Sequence, residues 1–149
     1  MFSGVPTLPC QIHASCVAVA GRGLLIVGRS GAGKSALALQ LMAYGAELVA
    51  DDRCDLTAKS TGAYARRPEA LPEAIEARGI GILSASCVGP TRIAAVVDLD
   101  ETSAERMPPL LTAQIGQHQV PILHFNDQPH LPAALFHFLK HGFHGSMGK

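Results

Sequence analysis

The sequence has no tryptophan, few aromatic residues and no long apolar run. Aromatic side chains make up only 5% of its 149 residues, so we expect a core built from aliphatic side chains. No apolar stretch approaches the roughly 20 residues that a transmembrane helix needs. We therefore predict a protein that does not cross a membrane.

Net charge is also absent. The 12 basic and 12 acidic side chains cancel, and charged residues are 16% of the chain. A protein without a positive field has little with which to neutralise a phosphate backbone or an anionic lipid surface. Nucleic acids and membranes are therefore not the expected partners.

The four cysteines form no CxxC pair, and no secretory leader precedes them. A domain of this size buries enough surface to fold without disulfides. We accordingly expect free thiols and a reducing, cytoplasmic setting.

The chain has the length of one domain, and an apolar content of 48% suits a globular core. We predict a single α/β domain over 1–149, with an N-terminal arm over 1–9 and a disordered tail over 145–149. Proline at 121 favours an edge position for the last strand, whereas the continuous apolar run at 93–99 favours a central one. The expected elements are strands over 15–20, 24–27, 47–50, 54–57, 93–99 and 120–125, helices over 34–44, 72–78 and 132–140, a turn over 59–67 and a loop over 103–109.

A phosphate-binding loop follows the second strand. Its residues read Gly28-Arg29-Ser30-Gly31-Ala32-Gly33-Lys34-Ser35, the pattern of Gly, four residues and Gly-Lys-Ser, and Ala36 continues the expected nucleotide-binding set. Backbone N–H groups of such a loop converge on phosphate oxygens at a helix N-terminus. In this pattern the lysine reaches the β- and γ-phosphates and the serine hydroxyl binds Mg²⁺. The strand before the loop and the helix after it supply the required context.

Two acids, Asp51 and Asp52, end the strand that follows the loop helix. A crossover through a helix of about ten residues returns the chain by about 15 Å and sets both carboxylates beside the phosphate loop. One acid can then hold a metal while the other accepts a proton.

The loop is fed by a hairpin, which differs from the topology of common small GTPases and nucleotide kinases. A further segment, Glu76-Ala77-Arg78-Gly79-Ile80-Gly81, brings an acid, a base and two glycines together. In this order the pieces resemble the catalytic domain of HPr kinase/phosphorylase, in its short form without the N-terminal regulatory domain. The matching segments are Gln11–Ala14, Gly28–Ser35, Leu48–Arg53 and Ile75–Ile82.

The resemblance implies an α/β fold of the HPr kinase and phosphoenolpyruvate carboxykinase type, a mixed sheet with a hairpin leading into the phosphate loop. It implies transfer of the γ-phosphoryl group of ATP, with Mg²⁺, to a serine of an HPr-type phosphocarrier, phosphorolysis in reverse, and a homo-oligomer, by family a hexamer.

The resemblance also assigns roles. It makes Asp51 the base, with His13 beside it, and gives the β-phosphate to Lys34. It places Ser35, Asp52 and Glu76 at Mg²⁺, directly or through water, and gives Arg78 a supporting role.

The C-terminal part departs from the family pattern. Full-length members carry an arginine-rich Pro-x-Arg-Pro-Gly-Arg stretch where this chain reads 121–130 without arginine, and Ala36 replaces the acid after the loop serine. Phosphorolysis is the activity that these losses put in question. Six of the seven histidines follow residue 117. For His137, His141 and His144 we expect a partly exposed terminal face rather than a metal site.

Two alternatives stay open at this point. One is a kinase or phosphotransferase that acts on a small molecule with the same scaffold. The other is a nucleotide-sensing module that binds ATP without transfer. A protein acceptor needs an exposed apolar surface near Asp51, whereas a metabolite needs a closed polar pocket.

Overall fold

The computed structural model describes residues 2–145, and they form a mixed α/β domain. A ten-stranded sheet carries most of the chain, and a separate two-stranded sheet lies beside it. In chain order the elements are β1 Gly4–Val5, β2 Cys10–His13, β3 Ser15–Val19, β4 Arg22–Val27, α1 Lys34–Tyr44, β5 Glu47–Ala50, β6 Arg53–Lys59, β7 Gly62–Arg66, β8 Ala74–Ala77, β9 Gly81–Ser84, β10 Thr91–Thr102, β11 Leu111–Ile115, β12 His118–Phe125 and α2 Leu131–His141.

The hairpin that feeds the phosphate loop is confirmed. Strands β3 and β4 pair antiparallel from Ser15↔Ile26 to Val19↔Arg22, and α1 begins seven residues after β4. Strand β5 pairs antiparallel with the other side of β3. Because β4 and β5 both run antiparallel to β3, they are parallel to each other, and their C-terminal ends share one edge of the sheet.

The main path of the sheet runs β1-β11-β12-β10-β4-β3-β5, and β10 is its axis. It pairs in parallel with both β4 and β12, so the central position predicted for 93–99 is confirmed. The sheet then curls, because Thr91 and Arg92 of β10 also pair with β7, which continues through β6 to β2.

Two apolar cores lie on opposite faces of this curled sheet. The side of β3 and β4 that carries Val17 and Ile26 packs against both helices, with Leu41 and Leu139 fully buried. The other side packs against the folded-back strands β2, β6 and β7, with Leu25 among its buried members. Both cores are aliphatic, as the composition predicts.

Helix α1 matches its predicted bounds and ends at Gly45, whose N–H bonds the carbonyl of Met42. Its residues are apolar on nearly every face, which predicts a buried helix, but this prediction is wrong for half of its surface. Leu37, Ala38 and Leu41 are buried, but the opposite side is exposed. Alanine favours the helix whether its side chain is buried or exposed. An alanine-rich sequence therefore does not distinguish a buried helix from a half-exposed one.

The helix predicted over 72–78 is wrong: this segment forms β8, which pairs with β9 in a hairpin. Its burial alternates, with Ile75 and Ala77 buried and Glu76 exposed. Alanine and glutamate favour helix, but the alternating pattern and the partner strand prevail here.

Three further expectations are corrected. The strand at 120–125 is not at an edge, because β12 lies between β10 and the unpredicted β11, and Pro121 forgoes one N–H donor opposite Thr112. The predicted turn over 59–67 is mostly strand β7. Part of the N-terminal arm is strand β1, which pairs with β11.

The C-terminal helix is confirmed as α2, with Pro132 in its first turn and Gly142 at its end. The rings of His137 and His141 lie 4.6 Å apart between centroids, while His144 follows the helix. Most of the tail predicted to be disordered, 146–149, lies outside the described residues. Within the described range no helix is long and apolar enough to cross a membrane.

The buried cysteine Cys16 links stability to pH. All four cysteines are free thiols, and complete burial raises the pKa of Cys16 from 9.0 to about 12. Above pH 9 the unfolded chain loses this proton while the folded chain keeps it, so the thiol's contribution to stability is lost as pH rises toward 12.

We therefore expect Cys16→Ala to flatten the fall in the free energy of unfolding between pH 9 and 11, by roughly 1 kcal/mol per pH unit. Urea unfolding followed by circular dichroism at several pH values measures this slope. The exposed substitution Ser84→Ala is the control and should leave the slope unchanged. Equal slopes for Cys16→Ala and the unsubstituted chain would contradict the effect.

Candidate active site at the phosphate loop

The phosphate loop lies between β4 and α1 and is closed by its own backbone, with Ala32 N–H bonding the carbonyl of Arg29. Gly28 has φ 153°, and a Cβ there would stand 3.1 Å from Cβ of Leu99. Gly33 precedes α1 with φ 104°, and no side chain caps the helix. The loop therefore needs glycine at both ends and turns the amino end of α1 toward any anion held there.

Two contacts fix the shape of the loop. The Lys34 ammonium donates to the carbonyls of Gly28 (2.9 Å) and Arg29 (3.1 Å). Asp100, near the end of β10, accepts from both the backbone N–H (2.8 Å) and the guanidinium (2.9 Å) of Arg29. The loop is thus fixed to the central strand β10. Lys34 lies over the loop, where a phosphate oxygen can replace a loop carbonyl as the acceptor of its ammonium group.

Asp51 is the hub of the site. Its Oδ1 accepts hydrogen bonds from the hydroxyls of Ser35 (2.6 Å) and Ser15 (2.8 Å), and its Oδ2 accepts from the backbone N–H of Glu76 (3.2 Å). The carboxylate therefore joins the loop helix, the feeding hairpin and the β8–β9 hairpin at the C-terminal end of β5. The crossover geometry expected for Asp51 beside the phosphate loop is what the structure has.

Asp52 is held differently. Its backbone has the left-handed φ of 72°, which aspartate tolerates better than most residues. Main-chain bonds fix it, from Ala14 N–H to its carbonyl and from its own N–H to the Ser15 hydroxyl at 3.4 Å. Its side chain is exposed and makes no hydrogen bond within the described part of the chain.

The β8–β9 hairpin forms the opposite wall. It is anchored to β5 by the bond from Val88 N–H to the carbonyl of Leu48 (2.8 Å), and the Glu73 carboxylate accepts from Cys87 N–H (2.7 Å). Between this hairpin and the loop helix lies a cavity of about 340 Å³. The lining includes Ser35, Asp51, Asp52, Glu76 and Ile82.

His13 lies elsewhere. It is exposed at the end of β2, where it pairs with Arg53, and it lines a second cavity, of about 400 Å³, together with Gly28, Arg29 and Asp98. Asp98 is only 2% exposed and accepts from the backbone N–H of Phe2 (2.7 Å) and Asp100 (3.0 Å). The structure thus brings Lys34, Ser35, Asp51, Asp52 and Glu76 together around the loop, and His13 lines the second cavity at the loop rather than the cavity of the acids.

Sequence reasoning missed three contributors. Ser15 is fully buried and orients Asp51, and its signal is a hydroxyl inside an apolar strand. Asp98 and Asp100 anchor the loop and the N-terminus, and their signal is two acids at the end of a buried strand.

Arg78, given a supporting role, lies in the β8–β9 turn, exposed, with no partner among the described side chains.

The oxygen donors of Ser35 and Asp51 suit a hard divalent cation, which takes one or two carboxylates together with substrate phosphates. Within residues 2–145 no group of three or more histidine, cysteine, aspartate or glutamate side chains converges as a complete metal cage. The oxygen donors that are present fit an ion shared with a phosphate ligand.

The buried hydroxyl of Ser15 should contribute to stability through Asp51. We expect Ser15→Ala to lower the free energy of unfolding by about 1–3 kcal/mol, because a half-buried carboxylate then loses one donor. Urea unfolding checks this value. The matched control Ser84→Ala removes an exposed hydroxyl and should change stability by less than about 0.5 kcal/mol. Equal effects of the two substitutions would show that the Ser15 bond carries no stability.

Comparison with known proteins places this site in a family. The family model of the HPr Serine kinase C-terminal domain matches residues 7–107. A Streptococcus thermophilus protein named HPr kinase/phosphorylase is 47% identical over 74 residues, which are 49% of this chain and 24% of that protein. A protein of the same name from Azoarcus is 46% identical over 75 residues, which are 50% and 24% of the two chains. The chain therefore spans about a quarter of these curated relatives.

The fold has a solved counterpart, the Hpr(Ser) kinase/phosphatase from Coxiella burnetii. It is similar to this chain with a TM-score of 0.72 and 24% identity, over 87% of this chain and 88% of that one. The mixed α/β fold predicted from the sequence is thus a known architecture. By its phosphate loop, its paired acids and the matched family model, the chain belongs to the HPr Serine kinase C-terminal domain family.

Proposed function

We propose that this protein is a serine kinase that transfers the γ-phosphoryl group of ATP to a serine of an HPr-type phosphocarrier. The observation that carries the proposal is the short bond between the loop hydroxyl of Ser35 and Asp51, 2.6 Å, inside a domain of this family. The names of the relatives, HPr kinase/phosphorylase, support the same acceptor.

The proposed binding of ATP rests on residues 28–36. Lys34 and the amino end of α1 offer a positive charge and backbone donors at one point, as phosphoryl transfer requires. Mg²⁺ would be held by Ser35 and Asp51, and it would neutralise charge on the phosphates.

The hydrogen bonds support a division of labour opposite to the one expected from the sequence. Both oxygens of Asp51 already accept donors from the fold, and one of those donors is Ser35, the residue of the cation. Asp52 is exposed in the same cavity with an uncommitted carboxylate. We therefore assign Asp51 to the cation and Asp52 to the proton, with Glu76 facing them.

In this scheme the acceptor serine oxygen forms a bond to the γ-phosphorus as the bond to the β,γ-bridging oxygen breaks. ADP leaves with that oxygen, and the serine proton passes to Asp52. Aspartate is a weak base, but it suffices because the transferring group is already metaphosphate-like when the proton leaves. In the reverse direction protonated Asp52 returns the proton to the serine oxygen.

Exposed apolar side chains next to the acids favour a protein acceptor over a small metabolite. Ile80 and Ile82 of the β8–β9 hairpin are 79% and 68% exposed, and Ile82 lines the cavity of the acids. Large exposed apolar groups beside a site are typical of a protein interaction surface. Phosphorolysis and a hexameric assembly are parts of the proposal that rest on the family resemblance alone, and the cytoplasmic setting rests on the unpaired cysteines.

The division between the two acids is testable by substitution. We expect Asp52→Asn to keep Mg-ATP affinity within about twofold while lowering transfer by at least about a hundredfold, the usual scale of acid-base catalysis. Asp51→Asn should weaken Mg-ATP binding itself, as should Lys34→Ala. Calorimetry gives the affinities, and γ-labelled ATP with a purified phosphocarrier gives the transfer rate.

Asp55→Asn serves as the control, because Asp55 lies on β6 and bonds Gln11 away from the loop. If Asp51→Asn keeps Mg-ATP affinity and loses transfer while Asp52→Asn weakens Mg-ATP binding, the roles are those expected from the sequence. Binding of ATP without transfer to any phosphocarrier in the unsubstituted protein would contradict the kinase and leave a nucleotide sensor.

The apolar hairpin is tested with Ile80→Asp, an exposed change in the β8–β9 turn. We expect the KM for the phosphocarrier to rise about tenfold or more, since an interface anchor is worth over 1 kcal/mol, with the KM for ATP unchanged. Leu110→Asp, at an exposed leucine in the loop before β11, is the matched control and should change neither constant. An unchanged KM for the carrier in Ile80→Asp would exclude this hairpin as the docking surface.

A further inference from the structure

A third cavity, of about 290 Å³, adjoins the phosphate loop and shares no lining residue with the cavity of the acids. One wall is formed by Ala32, Gly33 and the first two turns of α1, including Ala36 and Gln40. The other wall is the segment 125–132, which connects β12 to α2 and enters the helix. None of the roles assigned above uses this cavity.

The charge of the cavity excludes a second anion as its occupant. Its described lining contains no lysine, arginine or histidine, and it includes one acid, Asp127. Pockets that bind whole small ligands run from roughly 300 to 1,000 Å³, so this one suits a fragment of a ligand. An uncharged or weakly basic fragment is the chemistry it accepts.

The lining combines apolar surface with amide groups. Phe125, Leu37 and Pro129 supply apolar surface, and Phe125 is half-buried at the end of β12. Asn126 is oriented because its Oδ1 accepts the N–H of Gln128 at 3.0 Å, which leaves its amide nitrogen as a donor. Aromatic and apolar walls with a few polar groups are the usual lining for a planar heterocycle.

Gln40 adds a second amide. It is exposed on α1, it lines the cavity, and within residues 2–145 its side chain makes no hydrogen bond. An amide both donates and accepts, so it can pair with a ring edge or a ribose hydroxyl without a change of fold.

The position completes the argument. A nucleotide whose phosphates lie on the loop must direct its nucleoside to one side of it. Three cavities adjoin the loop. Two of them are lined by pairs of acids, Asp51 with Asp52 and Asp98 with Asp100, whereas the third starts at Ala32 and Gly33 of the loop itself and has one acid. A chain of phosphates that ends at the loop amides thus leads directly into the uncharged cavity.

We propose that this cavity is the nucleoside subsite, where the base and ribose of the nucleotide bind between α1 and the β12–α2 segment. The inference rests on the proposed function, because it takes the phosphate loop to bind a nucleoside triphosphate. It adds 125–129, a part of the chain outside the family match at 7–107, to the binding site.

The test compares Mg-ATP with Mg-tripolyphosphate, a probe that has the phosphates and lacks the nucleoside. We expect Gln40→Trp, which fills the cavity with an indole, to raise the Kd for ATP by about tenfold or more, equivalent to 1.4 kcal/mol, and to leave the Kd for tripolyphosphate within about twofold. Gln40→Ala keeps the cavity open and should weaken ATP by about three- to tenfold through the lost hydrogen bond. Isothermal titration calorimetry measures both ligands.

The matched control is Gln117→Trp, at an exposed position in the β11–β12 turn at the far end of β12. It should change neither affinity, and thermal unfolding checks that all variants fold. Unchanged ATP affinity in Gln40→Trp, or an equal loss for ATP and tripolyphosphate, would overturn the subsite. Binding of neither ligand by the unsubstituted protein would instead overturn the proposed function and the subsite with it.

Discussion

The Asp51 carboxylate is the interaction on which the site depends. Two hydroxyls and one amide, from three separate segments, meet on its two oxygens. A half-buried carboxylate is costly unless such donors surround it, and here the donors come from the elements that have to be aligned. The elements of the site thus meet on one charge: β5 carries the acid, β3 and α1 carry the hydroxyls, and the β8–β9 hairpin supplies the backbone N–H.

Local sequence carried much of this architecture. The phosphate loop, its feeding hairpin, α1 with its terminal glycine and the acids after β5 follow from patterns within about 40 residues, because turn chemistry, helix propensity and crossover geometry are local. The central position of β10 follows from its continuous apolar run. In these features the local sequence pattern and the folded structure are determined by the same local geometry and burial.

What the sequence did not predict depends on long-range pairing. No pattern in 74–77 predicts that this segment pairs with Gly81–Ser84. The pairing stabilises a strand where the residues favour a helix. Pro121 argued for an edge, yet β11 pairs with that side of β12 although its own pattern is weak. The same limit applies within the site: adjacent Asp51 and Asp52 look equivalent in sequence, and the donors that distinguish Asp51 come from Ser15, Ser35 and Glu76, which are 36, 16 and 25 residues away.

The sheet also ends in a particular way. The first strand in its order is β1, which has two residues and is followed by Pro6 and Pro9, and the last is β5, which has four and takes a further bond from Val88. Long, flat, exposed edge strands are templates for pairing between molecules. The branch through β7 and β6 ends in β2, which also has four residues. A ten-stranded sheet whose three edge strands are this short offers little main chain to a neighbouring copy, so the fold resists edge-to-edge aggregation.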